Sequence, residues 1–311
     1  MTEPVDHHGP ETPASGEYAN QTINLLMQRA SLRSFSDKPI PEDVLQQILE
    51  AGAHAASGGN LQPWSVIKIT SAETKRWLVD LDGQGFIAAA PVSLLFCLDF
   101  HRLQRLAELE TAPFTGNRSF RHFWVGFEDT LIAAQSMCTA ADALGLGSVY
   151  LGTVSEYIPQ LRERLKLPQG VFPLVLVCFG YPKKAPALRK KFTTDVLVHD
   201  ETYQELPDEV LLAAMREKYG DRNFQITPER LETIETVCRQ VAGPEFAEKC
   251  LARVRQDGFI NPIINYFGLH YVANEMPLNN LDFLQTFRDS GFFWMDEYTN
   301  LSEETQGEVK A

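Results

Sequence analysis

From Phe120 to Leu144 the chain runs 25 residues without a proline, and its apolar and small side chains, among them Gly126, Ala133, Ala134, Ala140 and Ala141, recur round most of a helical circumference. A helix that is apolar on every side must be buried on every side. The segment therefore demands other layers around it, and Gly145 supplies the residue type that ends such a helix.

Shorter patterns supply those layers. Residues 64–70, 92–99 and 174–181 are runs rich in branched apolar side chains, bounded by Pro or Gly, and they predict strands. Their unbroken apolarity predicts burial on both faces. Residues 18–30 carry apolar positions at helical spacing, and Pro41 opens a second helix at its favoured first position. Helices on both sides of a small mixed sheet give a three-layer α+β domain over residues 18–206. From Pro207 the chain changes to helix-like segments, 208–219, 228–242, 244–256 and 278–290, with no convincing strand, so residues 207–311 read as a helical C-terminal extension. Residues 1–17 are polar and proline-bearing, and read as a disordered tail rather than as a signal peptide.

Charge narrows the function classes. The chain has 28 Lys+Arg against 41 Asp+Glu, a formal net charge of −13. Residues 201–311 hold 20 acidic and 10 basic residues, so −10 of that −13 is segregated in them. A nucleic-acid or anionic-membrane partner is not expected for such a chain, and an anionic ligand needs a local basic cluster. The longest apolar stretch, 86–98, is broken by Pro91 and Ser93 and falls short of the ~20 residues of a membrane span. Five widely spaced cysteines form neither a disulfide framework nor a metal pair, which suits a reducing cytoplasm. The histidines at 54, 101, 122, 199 and 270 are scattered, so no metal site is expected.

Three clusters carry possible chemistry. In Arg29-Ala30-Ser31-Leu32-Arg33 two guanidiniums and a hydroxyl alternate where a helix gives way to extended chain. They could bind a phosphate or carbonyl edge, or the arginines could simply answer the helix dipole. The second cluster, Ser57-Gly58-Gly59-Asn60-Leu61-Gln62-Pro63-Trp64, has glycines that admit a ligand close to the backbone and amides that match a heterocycle edge. It serves equally as a plain helix-to-strand connection. The third, 183–191, places five basic residues in nine after a strand and is the best phosphate candidate, with a solvated loop as the alternative. Gly145-x-Gly147 with Gly152 is no dinucleotide fingerprint, because it follows a helix and opens none.

Taken in order, the segments RASLRSFSDKPIPEDVL, SGGNLQPW, DLDGQGFIAAAPVSLLFCLDF, ALGLGSVYLGTV and FGYPKKAPALRKKFTTDVLVHDETYQEL resemble the nitroreductase family of FMN-dependent oxidoreductases, most closely its oxygen-insensitive nitroreductases and NADPH-flavin reductases. The likeness spans about residues 21–206, and an unusual helical C-terminal extension follows it.

The resemblance implies a homodimer with FMN at the interface and NAD(P)H as co-substrate. Arg29, Ala30, Ser31 and Arg33 would hold the phosphate, ribityl chain and pyrimidine edge. Ser57, Gly58 and Asn60 would line the flavin from the partner subunit, and Gln84 would contact the ring. Tyr150, Leu151, Gly152 and Thr153 would pass along the isoalloxazine, and Arg189 and Lys191 would complete the phosphate site. Gly152-Thr153 stands where one branch has an acidic residue, so no catalytic side chain is expected. The implied reaction is ping-pong hydride transfer to electron-poor acceptors such as nitroaromatics, quinones or flavins. The alternative is an FMN-binding regulatory or interaction protein whose pocket is gated by the extension.

Overall fold

Asn20 starts the first helix by accepting the Ile23 N–H on its side-chain oxygen at 3.0 Å, satisfying one of the orphan donors of a helix N-terminus. The structure, a computed structural model, describes residues 20–296; the expected tail 1–17 lies outside the described residues. Helix α1 (Gln21–Gln28) is followed by α2 (Glu42–Ala53), β1 (Trp64–Ile69), α3 (Ala72–Asp82), α4 (Phe86–Ala89), β2 (Val92–Asp99) and α5 (Phe100–Leu109). Then come α6 (Phe120–Ala143), β3 (Gly147–Leu151), α7 (Ile158–Leu165) and β4 (Val171–Gly180).

The strands make one sheet of order β1-β2-β4-β3, and every neighbouring pair is antiparallel. This corrects the mixed sheet expected from the sequence. The helical crossover from β2 through α5 and α6 does return the chain to run alongside β2 in the same direction. However, β4 inserts between β2 and β3 and pairs antiparallel with each. The apolar, glycine-punctuated run after the long helix is itself strand β3.

Both faces of the sheet are covered. Leu95, Cys97, Val149, Leu151, Leu176 and Cys178 pack on one side with Leu78 of α3 and Leu161 of α7. Leu94, Phe96, Val175, Val177 and Phe179 pack on the other with Leu45 and Ile48 of α2 and with Ala134, Met137 and Cys138 of α6. All of β2 is buried, as its composition predicts, whereas the edge strand β1 is only half-buried.

Helix α6 is not buried all round in the single chain. Phe123, Gly126, Asp129, Thr130, Ala133, Ala134, Met137, Cys138 and Ala141 face the interior. Phe120 and Trp124 are each 53% exposed and Ile132 is 44% exposed, so an apolar stripe is left uncovered.

By their internal contacts, residues 189–281 form one compact unit, and residues 20–188 with 282–296 the other. The first unit holds α8 (Thr194–Leu197), α9 (Asp208–Tyr219), α10 (Pro228–Ala242), α11 (Pro244–Asp257) and α12 (Pro262–Asn265) around Ile234, Leu251, Val254 and Ile260. Helices α9, α10 and α11 fall where the apolar spacing predicts them, whereas the four-residue α8 and α12 were not expected. The last helix, α13 (Asn280–Asp289), leads Phe287, Phe292 and Trp294 into an aromatic cluster of the sheet unit with Phe100, Phe123 and Phe172. Phe172 and Phe287 stack at 4.3 Å and Phe123 meets Trp294 at 4.4 Å between ring centroids. Phe292, Trp294 and Met295, after Gly291, are therefore core packing.

Candidate functional site

After α1 the chain is extended, so side chains alternate. Leu32 turns inward, 1% exposed, and Ser31 and Arg33 turn outward. The Leu32 N–H donates to the Ser148 carbonyl at 2.9 Å, which lays the segment along β3. Phe35 bridges Pro182, while the Ser36 and Lys183 N–H groups reach Tyr181 and Ser34 carbonyls, which fixes the segment past the end of β4.

Arg29 is the most embedded of the predicted cations. Its Nη2 lies 3.5 Å from Ser148 Oγ, its guanidinium carbon 5.8 Å from the centre of the Tyr150 ring, and its Nε 3.9 Å from Asp142 Oδ2. Yet Nε is buried and makes no hydrogen bond. Burial pushes the Asp142 carboxyl up to about 6, and the nearby Arg29 charge opposes that rise. Burial is the first cause that raises both the Tyr150 phenol and the Cys138 thiol beside them. Leu151, 3% exposed, offers only its backbone.

Beyond β3 the chain enters the turn Gly152–Glu156. A Cβ placed on Gly152 would meet nothing within 4 Å, so the space over this turn is open. The turn is tied to the end of α3: Asp82 Oδ1 accepts from the Thr153 hydroxyl and, at 2.8 Å, from the Tyr157 hydroxyl. That tie brings the Gly83-Gln84-Gly85 loop and its half-buried Gln84 to the same end of the sheet.

The loop at Ser57–Asn60 is held elsewhere. Gly58 N–H points between both oxygens of Asp129 at 3.0 and 3.1 Å, Ser57 Oγ accepts from Gln62 N–H at 2.7 Å, and Gln62 Nε2 reaches the Ala53 carbonyl. Gly59, Asn60 and Gln62 all have φ between 50° and 59°, the left-handed region that suits glycine and asparagine. Asp129 and Asp142 stand thirteen residues apart on α6, about 20 Å along a helix axis. One chain therefore keeps the Ser57–Asn60 loop and the Arg29 cluster at distant levels of one helix.

Arg189 and Lys191 are exposed at the start of the helical unit. A cavity of about 710 Å³ in that unit is lined by Arg216, Tyr219, Arg253, Asn261 and neighbours, none of them singled out from the sequence. Among the described residues no three His, Cys, Asp or Glu side chains converge on a metal position, and no helix is long and apolar enough to cross a membrane.

Sequence reasoning missed Asp82, Asp129 and Asp142. The two on α6 did carry a signal, since acids in an otherwise apolar helix need partners. Asp82 carried none beyond its place before a glycine pair.

A sequence model described as the nitroreductase family matches residues 26–181. The chain belongs to the nitroreductase family. Among its relatives, the oxygen-insensitive NADPH nitroreductase of Salmonella typhimurium is 35% identical over 201 residues, 64% of this chain and 81% of that protein. The FMN reductase [NAD(P)H] of Bacillus subtilis is 36% identical over 186 residues, 59% of this chain and 75% of that one. The solved NADPH:FMN oxidoreductase from Vibrio harveyi, complexed with NAD+, superposes with a TM-score of 0.60 at 29% identity, covering 77% of this chain and 98% of that one. The nitroreductase match contains the Arg29–Arg33 segment, the Ser57–Asn60 loop and the β3 turn.

Proposed function

We propose that this chain is an FMN-dependent NAD(P)H oxidoreductase that works as a homodimer in the cytoplasm. The observation that carries the reading is Arg29, a cation whose buried Nε makes no hydrogen bond, beside a strand that ends in an open turn at Gly152. A buried donor without an acceptor is rare and calls for a ligand or a water. The donor set fits FMN: cationic and hydroxyl groups for its phosphate and pyrimidine oxygens, and an uncovered backbone turn for its flat ring.

In this reading Arg29, Ser31 and Arg33, with the backbone at Ala30, bind the anionic and carbonyl edges. Gln84 takes a ring edge. The backbone of Tyr150 and Leu151 leads to Gly152 and Thr153, whose N–H groups open a helical turn and so lack partners within it. Arg189 and Lys191 keep the phosphate role the resemblance implies, and Arg189→Ala, with FMN affinity as the readout, is their test. When bound, FMN supplies the hydride-accepting and hydride-donating chemistry. Turnover alternates nicotinamide with an electron-poor acceptor, such as a nitroaromatic, a quinone or a free flavin, in one pocket. No side chain is assigned to proton transfer, which falls to water or substrate.

The homodimer is supported by the spacing on α6: Ser57, Gly58 and Asn60 come to the ring from a second copy, and the uncovered Phe120, Trp124 and Ile132 stripe gives that copy an apolar surface to cover.

The test is the visible spectrum of the purified protein followed by anaerobic additions of NADH and NADPH. Flavin bands that release FMN and bleach with one nucleotide are expected. Colourless protein that fails to take up FMN overturns the reading.

A further inference from the structure

Asp82 ends α3, and Gly83, at φ 71°, turns the chain directly after it. The Thr153 and Tyr157 hydroxyls, 71 and 75 residues further on, both converge on Asp82 Oδ1. Hydroxyls can rotate to other acceptors, so two of them on a single oxygen mark that oxygen as the organising centre. Tyr157 is 5% exposed, and burial first, then Asp82, raises its phenol well above the ordinary range. It therefore remains a donor at any physiological pH. Asp82 Oδ2, equally removed from water, has no partner. A carboxylate with one oxygen doubly engaged and the other unanswered is costly to keep. Such an arrangement is tolerated where a local geometry matters more than stability.

We propose that Asp82 is a positioning residue: through Thr153 and Tyr157 it holds the Gly152–Thr153 turn against the Gly83-Gln84-Gly85 loop, so that the two ring-facing segments keep one fixed spacing. The inference rests on the flavin reading above for what the segments face, but not for the tie itself. Asp82 touches neither substrate nor ring; it acts through the turn. Its charge adds a second effect, because an anion held beside the turn disfavours the extra electrons of a reduced flavin.

The test uses full-length protein and three variants. Asp82→Ala removes the acceptor, Asp82→Asn retains an acceptor oxygen without the charge, and Tyr157→Phe removes one donor. In FMN-free protein, amide exchange of residues 152–157 is expected to quicken about tenfold in Asp82→Ala, less in Tyr157→Phe, and to be restored in Asp82→Asn. FMN dissociation constants are expected to follow the same order, with about a tenfold loss in Asp82→Ala. In Asp82→Asn the midpoint potential of the bound flavin is expected to rise although affinity is retained. Unchanged exchange in Asp82→Ala overturns the tie. Faster exchange with unchanged FMN affinity overturns the ring-positioning role while leaving the flavin site intact. If no version, wild type included, binds FMN, the flavin reading fails, and the exchange data still decide the tie. If Asp82→Ala does not fold, Tyr157→Phe against Asp82→Asn decides by the same exchange readout.

Discussion

The backbone N–H of Gly58 lies 3.0 and 3.1 Å from the two carboxylate oxygens of Asp129, across 71 residues of chain. Asp129 is 5% exposed, and a Cβ on Gly58 would come within 2.9 Å of Val125, so both the acid and the absence of a side chain are needed for the approach. Asp129→Ala is expected to lose about 1.5–3 kcal/mol, the worth of a hydrogen bond to a charged group, with a smaller loss in Asp129→Asn. Urea unfolding of the two variants checks the order.

Asp142 sets a pH dependence. Its carboxyl titrates at about 6 in the fold against 3.8 as the ordinary value, because burial disfavours the charge. A raised folded value means that the stabilisation is complete below about pH 4 and is lost as pH rises through about 6. Asp142→Asn should therefore gain on the wild type between pH 4 and pH 7, by on the order of 3 kcal/mol. Unfolding free energies across that window, with no relative gain, would contradict the assignment.

Leu32 and Gly147 fit each other closely: a Cβ on Gly147 would stand 2.8 Å from Leu32 Cδ2 and 3.0 Å from its Cβ. Gly147→Ala must displace Leu32 and with it the segment that carries Arg29 and Arg33. A destabilisation of about 1–3 kcal/mol is expected. FMN affinity should weaken alongside, as a fluorescence-quenching titration would read.

Phe292 is fully buried among Phe100, Phe123, Phe172 and Trp294. Phe292→Ala should cost about 3–5 kcal/mol in thermal or urea unfolding. Truncation at residue 207 should do worse, since it strips α13 and Phe292 from the sheet unit and uncovers Phe123 and Phe172.

Trp124 and Ile132 share the uncovered stripe of α6. Placing charge there, as Trp124→Glu with Ile132→Glu, should shift a dimer to monomer in sedimentation velocity while leaving the circular dichroism unchanged. A dimer that survives both charges would move the interface elsewhere.

Helix and strand types were legible because their cause is local. The period of apolar side chains over 120–143 and 228–242 needs no tertiary partner to be read. The basic and hydroxyl residues at 29–33 stood out locally as a candidate anion cluster with a helix-dipole role as the alternative, whereas Gly152 was singled out only through the family resemblance. The direction of the sheet was not. Whether β4 lies outside β3 or slides between β3 and β2 depends on pairings between strands far apart in sequence, and no residue in β4 announces it.

The sequence by itself determined the long helix, three of the four strands, the main helices of the last third and the segregation of charge into it, and the segments proposed for a flavin site. Only the tertiary structure decided which acids hold those segments: Asp82 for the turn after β3, Asp129 for the Ser57–Asn60 loop, Asp142 for Arg29. It also decided that residues 282–296 complete the core of the sheet unit. The physical reason is common to all four. A hydrogen bond, an ion pair or an aromatic contact between distant residues is set by where closed loops bring them, and the local sequence of neither partner encodes that meeting.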